Sequence, residues 1–260
     1  MTMSDQLITL ETSSKVAYLT LDSPANRNAL SEAMLEQLLA ALGAAVGAPE
    51  VRLLVLSHTG SVFCSGADLK EQARIHQATG ASPGAGGLVP ILEAMLASPK
   101  PIICRVDGAV RGGGMGLVAA SDVAIASPAS SFAFSEVRVG VAPAVISVPV
   151  LPRISRTAAL ELFLTGRVFS AEEAASAGLL TRTSQPGELD QEISAVVEEL
   201  LRGAPTAQAE AKRLISAVPP MEPKAAFQLM IQLSARLFSS PEGQEGMAAF
   251  KERRPPPWSL

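Results

Sequence analysis

At 260 residues the chain is long enough for one large domain, or a domain with an appendage, and for a substantial buried core. Hydrophobic residues make up 48% and charged residues only 18%, below the roughly 25% of an ordinary soluble domain, which points to surface buried between subunits. A net charge of −4 lacks the basic footprint of a nucleic-acid binder and excludes nucleic acid as a main partner.

In chain order, residues 7–11 and 16–21 run apolar around Thr12-Ser-Ser14 and predict a hairpin. Asp22 to Asn28 is a turn cluster. Ser31 is placed to cap a helix whose apolar positions Met34, Leu35, Leu38, Leu39 and Leu42 recur at helical spacing, ending between Gly43 and Pro49. Residues 53–57 form a buried strand that runs into Phe63-Cys-Ser-Gly-Ala-Asp-Leu69, with Asp68 as an N-cap or first-turn acid. The small residues between Gln77 and Gly87 carry no order signal and read as a mobile loop, a candidate cover for a pocket. Neither a dinucleotide fingerprint nor a phosphate loop fits them.

A helix over 88–96 stops at Pro99, and a strand over 101–106 turns through Gly112, Gly113 and Gly114 into an apolar helix beginning near Met115. Residues without a Cβ let a ligand approach the backbone, and a helix start leaves its N–H groups without partners. The stretch therefore suits an anion or a polarised carbonyl oxygen, although tight helix packing would also use such glycines. Residues 123–126 and 131–134 read as further strands, and the alternation of strand and helix predicts parallel crossovers. From Val145 onward the pattern is helical, with candidates over 157–164, 171–177, 189–202, 206–218, 225–238 and 242–253 and a composition shift near Pro205.

Six motifs appear in order: Pro24-Ala-Asn-Arg-Asn-Ala-Leu30, Phe63-Cys-Ser-Gly-Ala-Asp-Leu69, Gly112-Gly-Gly-Met-Gly-Leu117, Phe134-Ser-Glu-Val-Arg-Val-Gly-Val-Ala-Pro143, Leu164-Thr-Gly-Arg167 and Gly246-Met-Ala-Ala-Phe250. In them the chain resembles the crotonase (enoyl-CoA hydratase/isomerase) superfamily over nearly its whole length. The resemblance implies an α/β fold, a crotonase-type spiral of ββα units with a C-terminal helical trimerisation region. It divides the chain into a catalytic, acyl-CoA-binding core over residues 1–204 and a helical region over 205–260. It further implies a homotrimer or a dimer of trimers, and an acyl-CoA substrate whose coenzyme A is part of the substrate rather than a permanently bound cofactor.

Carried over by motif position, the amides of Ala67 and Gly113 make an oxyanion hole for the thioester carbonyl, and Glu136 is the proton-transferring group. Ala25, Arg27, Asp68 and Leu69 match the coenzyme A groove, and Phe250 and Arg253 a C-terminal segment that completes it, from the same or a neighbouring subunit. Gly112, Gly116 and Ala144 match the acyl pocket. Two-glutamate hydratases of the family resemble Gly-Gly-Gly-x-Glu at the glycine turn, whereas here the fifth position is Gly116. The vacated space is expected to admit a bulkier acyl chain. The leading expectation is a lyase adding water across the 2,3-double bond of an enoyl-CoA; a double-bond isomerase and a catalytically silent acyl-CoA-binding protein are the alternatives.

The remaining polar candidates read as structural. His58 and His76 have no metal-ligand spacing, so no metal is expected. Asp107 is expected to fix the glycine turn and Asp122 to cap or pair locally. Cys64 and Cys104 are too few for a disulfide framework and read as small core residues in a reducing compartment. No run approaches the roughly twenty apolar residues of a membrane span, and residues 1–6 lack a basic segment followed by an apolar run. A soluble cytoplasmic protein is the expectation, with no membrane partner.

Overall fold

The computed structural model describes residues 6–80 and 84–259. The elements are β1 (Ile8–Ser13), β2 (Val16–Leu21), α1 (Glu32–Gly47), β3 (Leu53–His58), β4 (Val62–Cys64), α2 (Leu69–Thr79), α3 (Val89–Ala97), β5 (Ile102–Val106), β6 (Ala109–Arg111), α4 (Gly113–Ala120), β7 (Val123–Ala126) and β8 (Ser131–Ala133). The second half holds α5 (Ala144–Val150), α6 (Arg156–Thr165), β9 (Phe169–Ser170), α7 (Ala171–Ala177), β10 (Arg182–Thr183), α8 (Leu189–Arg202), α9 (Pro205–Ala217), α10 (Pro223–Ser239) and α11 (Pro241–Glu252).

The strands form two sheets, ordered β1-β2-β3-β5-β7-β10 and β4-β6-β8-β9. Pairings β2·β3, β3·β5, β5·β7 and β7·β10 are parallel, as are β4·β6 and β6·β8; β1·β2 and β8·β9 are antiparallel. The chain therefore repeats one motion. It lays a strand in the large sheet, then a short strand in the small sheet, then a helical segment, and returns one position along: β3-β4-α2, β5-β6-α4, β7-β8-α5. This is the expected spiral of ββα units, with helices α8–α11 at its C-terminal end.

Both faces of the large sheet are covered, which is why β3 opens with the apolar run Leu53–Leu56 and β5 with Ile102–Cys104. Leu54, Leu56, Ile102 and Cys104 face the main core with Met34, Phe63, Phe132 and Leu117. Val16, Leu53, Val55, Ile103 and Ile125 face the other way, against Leu189, Ile193, Val197 and Leu201. Those four recur every fourth residue along α8, a stripe that lies on the sheet.

The structure shifts several expected boundaries. The hairpin turns at Ser14-Lys15, both at positive φ (49° and 67°), because a two-residue turn of that hand matches the strand twist. Helix α2 runs to Thr79 and is capped by Gly80 at φ 70°, so the start of the expected 77–87 loop is helical; residues 86–88 form a 3-10 turn, and residues 81–83 of that loop lie outside the described residues. So do residues 1–5 of the expected leader-free start. Helix α4 begins at Gly113, two residues before the expected start.

Asp122 does not pair locally. Its Oδ2 accepts the Ile102 amide at 2.7 Å and the Lys212 ammonium at 2.8 Å, tying α9 to the start of β5. Among the described residues, no helix is long and apolar enough to cross a membrane.

Candidate active site

Because β4, β6 and β8 are adjacent and parallel, the segments leaving them emerge side by side at one edge of the small sheet. Those segments carry Ala67, Gly112-Gly113 and Glu136, one from each turn of the spiral. In parallel sheets the carboxyl ends of the strands are where ligand sites form.

The first segment is held by the turn before α1. Asn28 is fully buried at φ 51°; its Oδ1 accepts the Ser23 amide at 2.8 Å and its Nδ2 donates to the carbonyls of Thr59 (3.0 Å) and Val62 (2.8 Å). That fixed turn then clamps the strand end: Ser65 N–H donates to Arg27 O at 3.1 Å and Leu30 N–H to Gly66 O at 2.8 Å. Leu30 and Ala67 form an isolated parallel bridge in which Asp68 N–H reaches Leu30 O at 3.4 Å. In such a bridge the flanking residues bond to the partner, so the Ala67 amide points away from Leu30. Asp68 then caps α2, its carboxylate accepting the amides of Lys70 (3.0 Å) and Glu71 (3.1 Å).

The second segment comes against the first. Gly112 has φ 51° and ψ −124°, a conformation that glycine alone adopts readily. A Cβ there would stand 3.0 Å from Gly66 Cα and 3.9 Å from both Ala67 N and Glu136 Oε1. One point in space is thus flanked by a backbone amide and a carboxylate oxygen. Gly113, next in the chain, is the first residue of α4, and its amide has no partner within the helix. Gly114 seats the helix on Cys64, where a Cβ would meet the Cys64 Cβ at 2.7 Å. Cys64 is fully buried, accepts the Gly66 amide at 3.4 Å, and burial pushes its thiol up to about 12. It is a packing residue, as is the equally buried Cys104.

The third segment leaves β8 through Phe134, whose ring packs on Phe163 at 4.3 Å and Phe169 at 6.0 Å. Residues Ser135–Val139 form a 3-10 turn carrying Glu136, closed by Gly140 and by Val141 N–H donating to Glu136 O at 3.1 Å. Beneath it Gly166, at φ 57°, sits so close that a Cβ would meet Val137 Cγ2 at 2.9 Å and Phe134 O at 3.1 Å. The Glu136 Oε2 is buried with no hydrogen-bond partner, and burial raises its pKa above the usual carboxylate range. A carboxyl desolvated in this way holds its proton more strongly, against the weaker opposing effect of a backbone hydrogen bond.

The other anticipated residues divide into two groups. Arg27 is tied to the end of β4 through the Ser65 amide, Asp68 and Leu69 follow at the start of α2 with Leu69 64% exposed, and Ala25 lies in the 3-10 turn just before Arg27. Ala144 is exposed at the start of α5. Phe250 and Arg253 are elsewhere: Phe250, 87% exposed on α11, borders a cavity of about 350 Å³ with Leu237, Met247 and Trp258, which shares no residue with the Ala67, Gly112 and Glu136 cluster.

Gly116 overturns one expectation. The space beside it is not open: a Cβ would meet Ile146 Cγ2 at 2.8 Å and Leu92 Cδ1 at 3.4 Å, so Ile146 of α5 fills the place of a side chain at 116. Ile146, Asn28 and Gly166 were not anticipated as parts of the site. Asn28 lies inside a quoted motif and carried a signal; Ile146 carried none. Among the described residues, no group of three or more His, Cys, Asp or Glu side chains gathers to hold a metal.

The comparisons with known proteins agree with this fold. The family described as Enoyl-CoA hydratase/isomerase matches residues 11–260. A solved structure of Pseudomonas aeruginosa AtuE is 36% identical, with a TM-score of 0.92 over 98% of this chain and 100% of that one. An enoyl-CoA hydratase structure from Mycobacterium avium is 40% identical, with a TM-score of 0.73 over 98% and 100%. The mitochondrial enoyl-CoA hydratase domain-containing protein 3 of Homo sapiens is 31% identical over 94% of this chain and 80% of its own length. With a family match spanning nearly all of the sequence and the spiral fold beneath it, the chain belongs to the enoyl-CoA hydratase/isomerase family of the crotonase superfamily.

Proposed function

We propose that the chain is an enoyl-CoA hydratase that works with one carboxylate. The observation carrying this reading is Glu136, whose buried Oε2 has no hydrogen-bond partner and whose Oε1 lies beside the same point as the Ala67 amide. The thioester oxygen of a 2-enoyl-CoA would accept from the amides of Ala67 and Gly113. Glu136, as carboxylate, takes a proton from water as the water oxygen bonds to C3. The C2–C3 π electrons move toward the carbonyl and give an enolate, whose oxygen the two amides stabilise; the Glu136 proton then goes to C2. The product is a 3-hydroxyacyl-CoA, and the carboxylate is regenerated. A fixed amide at the developing oxyanion is worth about a hundred- to a thousandfold in rate and a positioned acid/base about a hundred- to ten-thousandfold.

Gly116 favours a second reading. With Ile146 where another carboxylate would stand, a single glutamate also suits an isomerase, removing a C2 proton from a 3-enoyl-CoA and returning it to C4. Loss of enoyl absorbance with a panel of 2-enoyl-CoAs, together with product analysis from a 3-enoyl-CoA, separates the two. Turnover of the 2-enoyl panel that Glu136→Gln abolishes is the expected result. Turnover of the 3-enoyl substrate alone assigns the isomerase. Binding of acyl-CoA with no turnover by either route assigns a silent binding protein.

The same reading assigns the chain to a homotrimer or dimer of trimers, with residues 205–260 at the subunit contacts. Support comes from α10, where Phe227 is 71% and Ile231 69% exposed one turn apart, an apolar face that water disfavours.

A further inference from the structure

Resting on the acyl-CoA reading, we infer that Ile146 is the specificity-determining residue of the acyl pocket, and that its side chain is what keeps position 116 a glycine. Gly116 lies three residues after Gly113 on α4, so both present the same side of the helix. That side is walled by carbon. A Cβ on Gly113 would meet Leu30 Cδ1 first and Leu88 Cδ2 at 3.0 Å, and one on Gly116 would meet Leu92 Cδ1 at 3.4 Å; Leu88 is the N-cap of α3 and Leu92 lies one turn on. Ile146 closes the third side, its Cγ2 at 2.8 Å and its Cβ at 3.3 Å from the same Gly116 point. Leu88, Leu92 and Ile146 are buried, at 2%, 4% and 3% exposure.

An acyl chain whose thioester oxygen lies at the Gly113 amide therefore runs along a wall that ends in a β-branched side chain held by α5. Ile146 cannot swing aside, because β-branching leaves few χ1 rotamers and its neighbours are packed. Removing its outer carbons lengthens the pocket by the space of a short alkyl segment. A carboxylate side chain placed at 116 without that removal would collide with Ile146 at the first side-chain atom.

Two measurements test this. Calorimetric titration with the saturated butanoyl-CoA and decanoyl-CoA, which cannot be hydrated, reads the pocket without reference to catalysis. Ile146→Ala is expected to shift the ratio of the two dissociation constants toward decanoyl-CoA by about tenfold or more, the scale on which apolar pockets discriminate between methylenes. Ile146→Val, which keeps most of the packing, should shift it in the same direction and by less. A ratio unchanged within about twofold in both variants overturns the inference while leaving the acyl-CoA reading intact. Failure of the wild-type chain to bind either ligand overturns both.

The second measurement is thermal unfolding of Gly116→Glu alone and combined with Ile146→Ala. The single variant is expected to lose cooperative melting and the double variant to regain it. A single variant that melts like the wild type would show that Ile146 does not hold the position.

Discussion

Gly66 and Gly112 lie so close that a single carbon added to Gly112 would stand 3.0 Å from the Gly66 Cα, and the contact joins the first and second turns of the spiral. The φ of 51° at Gly112 and of 94° at Gly66 keeps both backbones in conformations that side chains resist. Gly112→Ala should cost about 1–3 kcal/mol of stability, the range for residues held in glycine-only backbone regions. It should also displace the Ala67 amide from the Glu136 oxygen and lower kcat by about a hundredfold or more. Urea unfolding and steady-state hydration check the two parts separately.

Glu136 should make the protein less stable than it could be. Its folded pKa is raised above the ordinary 4.5 by burial, so the native state prefers the protonated form more than the unfolded chain does. The stability this contributes is fully present below the unfolded pKa and is lost as pH rises through the folded value. Glu136→Gln, neutral at every pH, should therefore melt higher than the wild type above that value, and the gap should close near pH 4. Its hydration rate should fall about a hundred- to ten-thousandfold. Thermal scans from pH 4 to 8 give the comparison.

Asp122 and Lys212 are partly buried, with side-chain exposures of 29% and 16%. Removing the ammonium leaves the Asp122 carboxylate with the Ile102 amide and the charge of Arg153, and also deprives the carbonyls of Met95 and Lys100 of a donor. Lys212→Met should lower stability by about 1.5–3 kcal/mol, the range for hydrogen bonds to charged groups. The fall should appear as a lower urea midpoint at unchanged slope.

His58 should set part of the acid sensitivity. Its Nε2 accepts the Asp107 amide at 3.0 Å and its ring meets Phe63 edge-on at 5.3 Å. Burial lowers its pKa below 6.5, and nearby Arg105 lowers it further against the opposing effects of the Thr59 carbonyl and Asp107. A base with a lowered folded pKa stabilises the native state above its unfolded value and loses that contribution as pH falls from about 6.5 toward the folded pKa. His58→Gln should show a flatter stability profile over that window. Equal slopes in the two proteins would show that another group titrates there.

Much of this was legible in the residues themselves. Ser31 accepts the Met34 amide at 3.2 Å and Asp68 those of Lys70 and Glu71, as capping chemistry requires, because a cap depends on residues two or three apart. The apolar run over 53–57 and the stripe on α8 were readable for the same reason. The small sheet was legible only at β8, inside the strand expected over 131–134. Strands β4 and β6 are three residues each, too short for any period to declare itself, and β6 lies inside what reads as the approach to the glycine turn. Asp122 looked local because sequence separation hides a partner ninety residues away.

By itself, the sequence determined which residues could do chemistry: backbone amides freed by glycine turns, one glutamate in a familiar motif, and a glycine where a second glutamate often stands. It also determined the family, through the order of six motifs. Only the tertiary structure decided that parallel pairing of three short strands sets Ala67, Gly112 and Glu136 around one point, and that Ile146 occupies the room beside Gly116. The reason is physical. Local rules act through neighbours along the chain, while register between strands and the filling of a core are settled by packing among segments that the chain brings together only on folding.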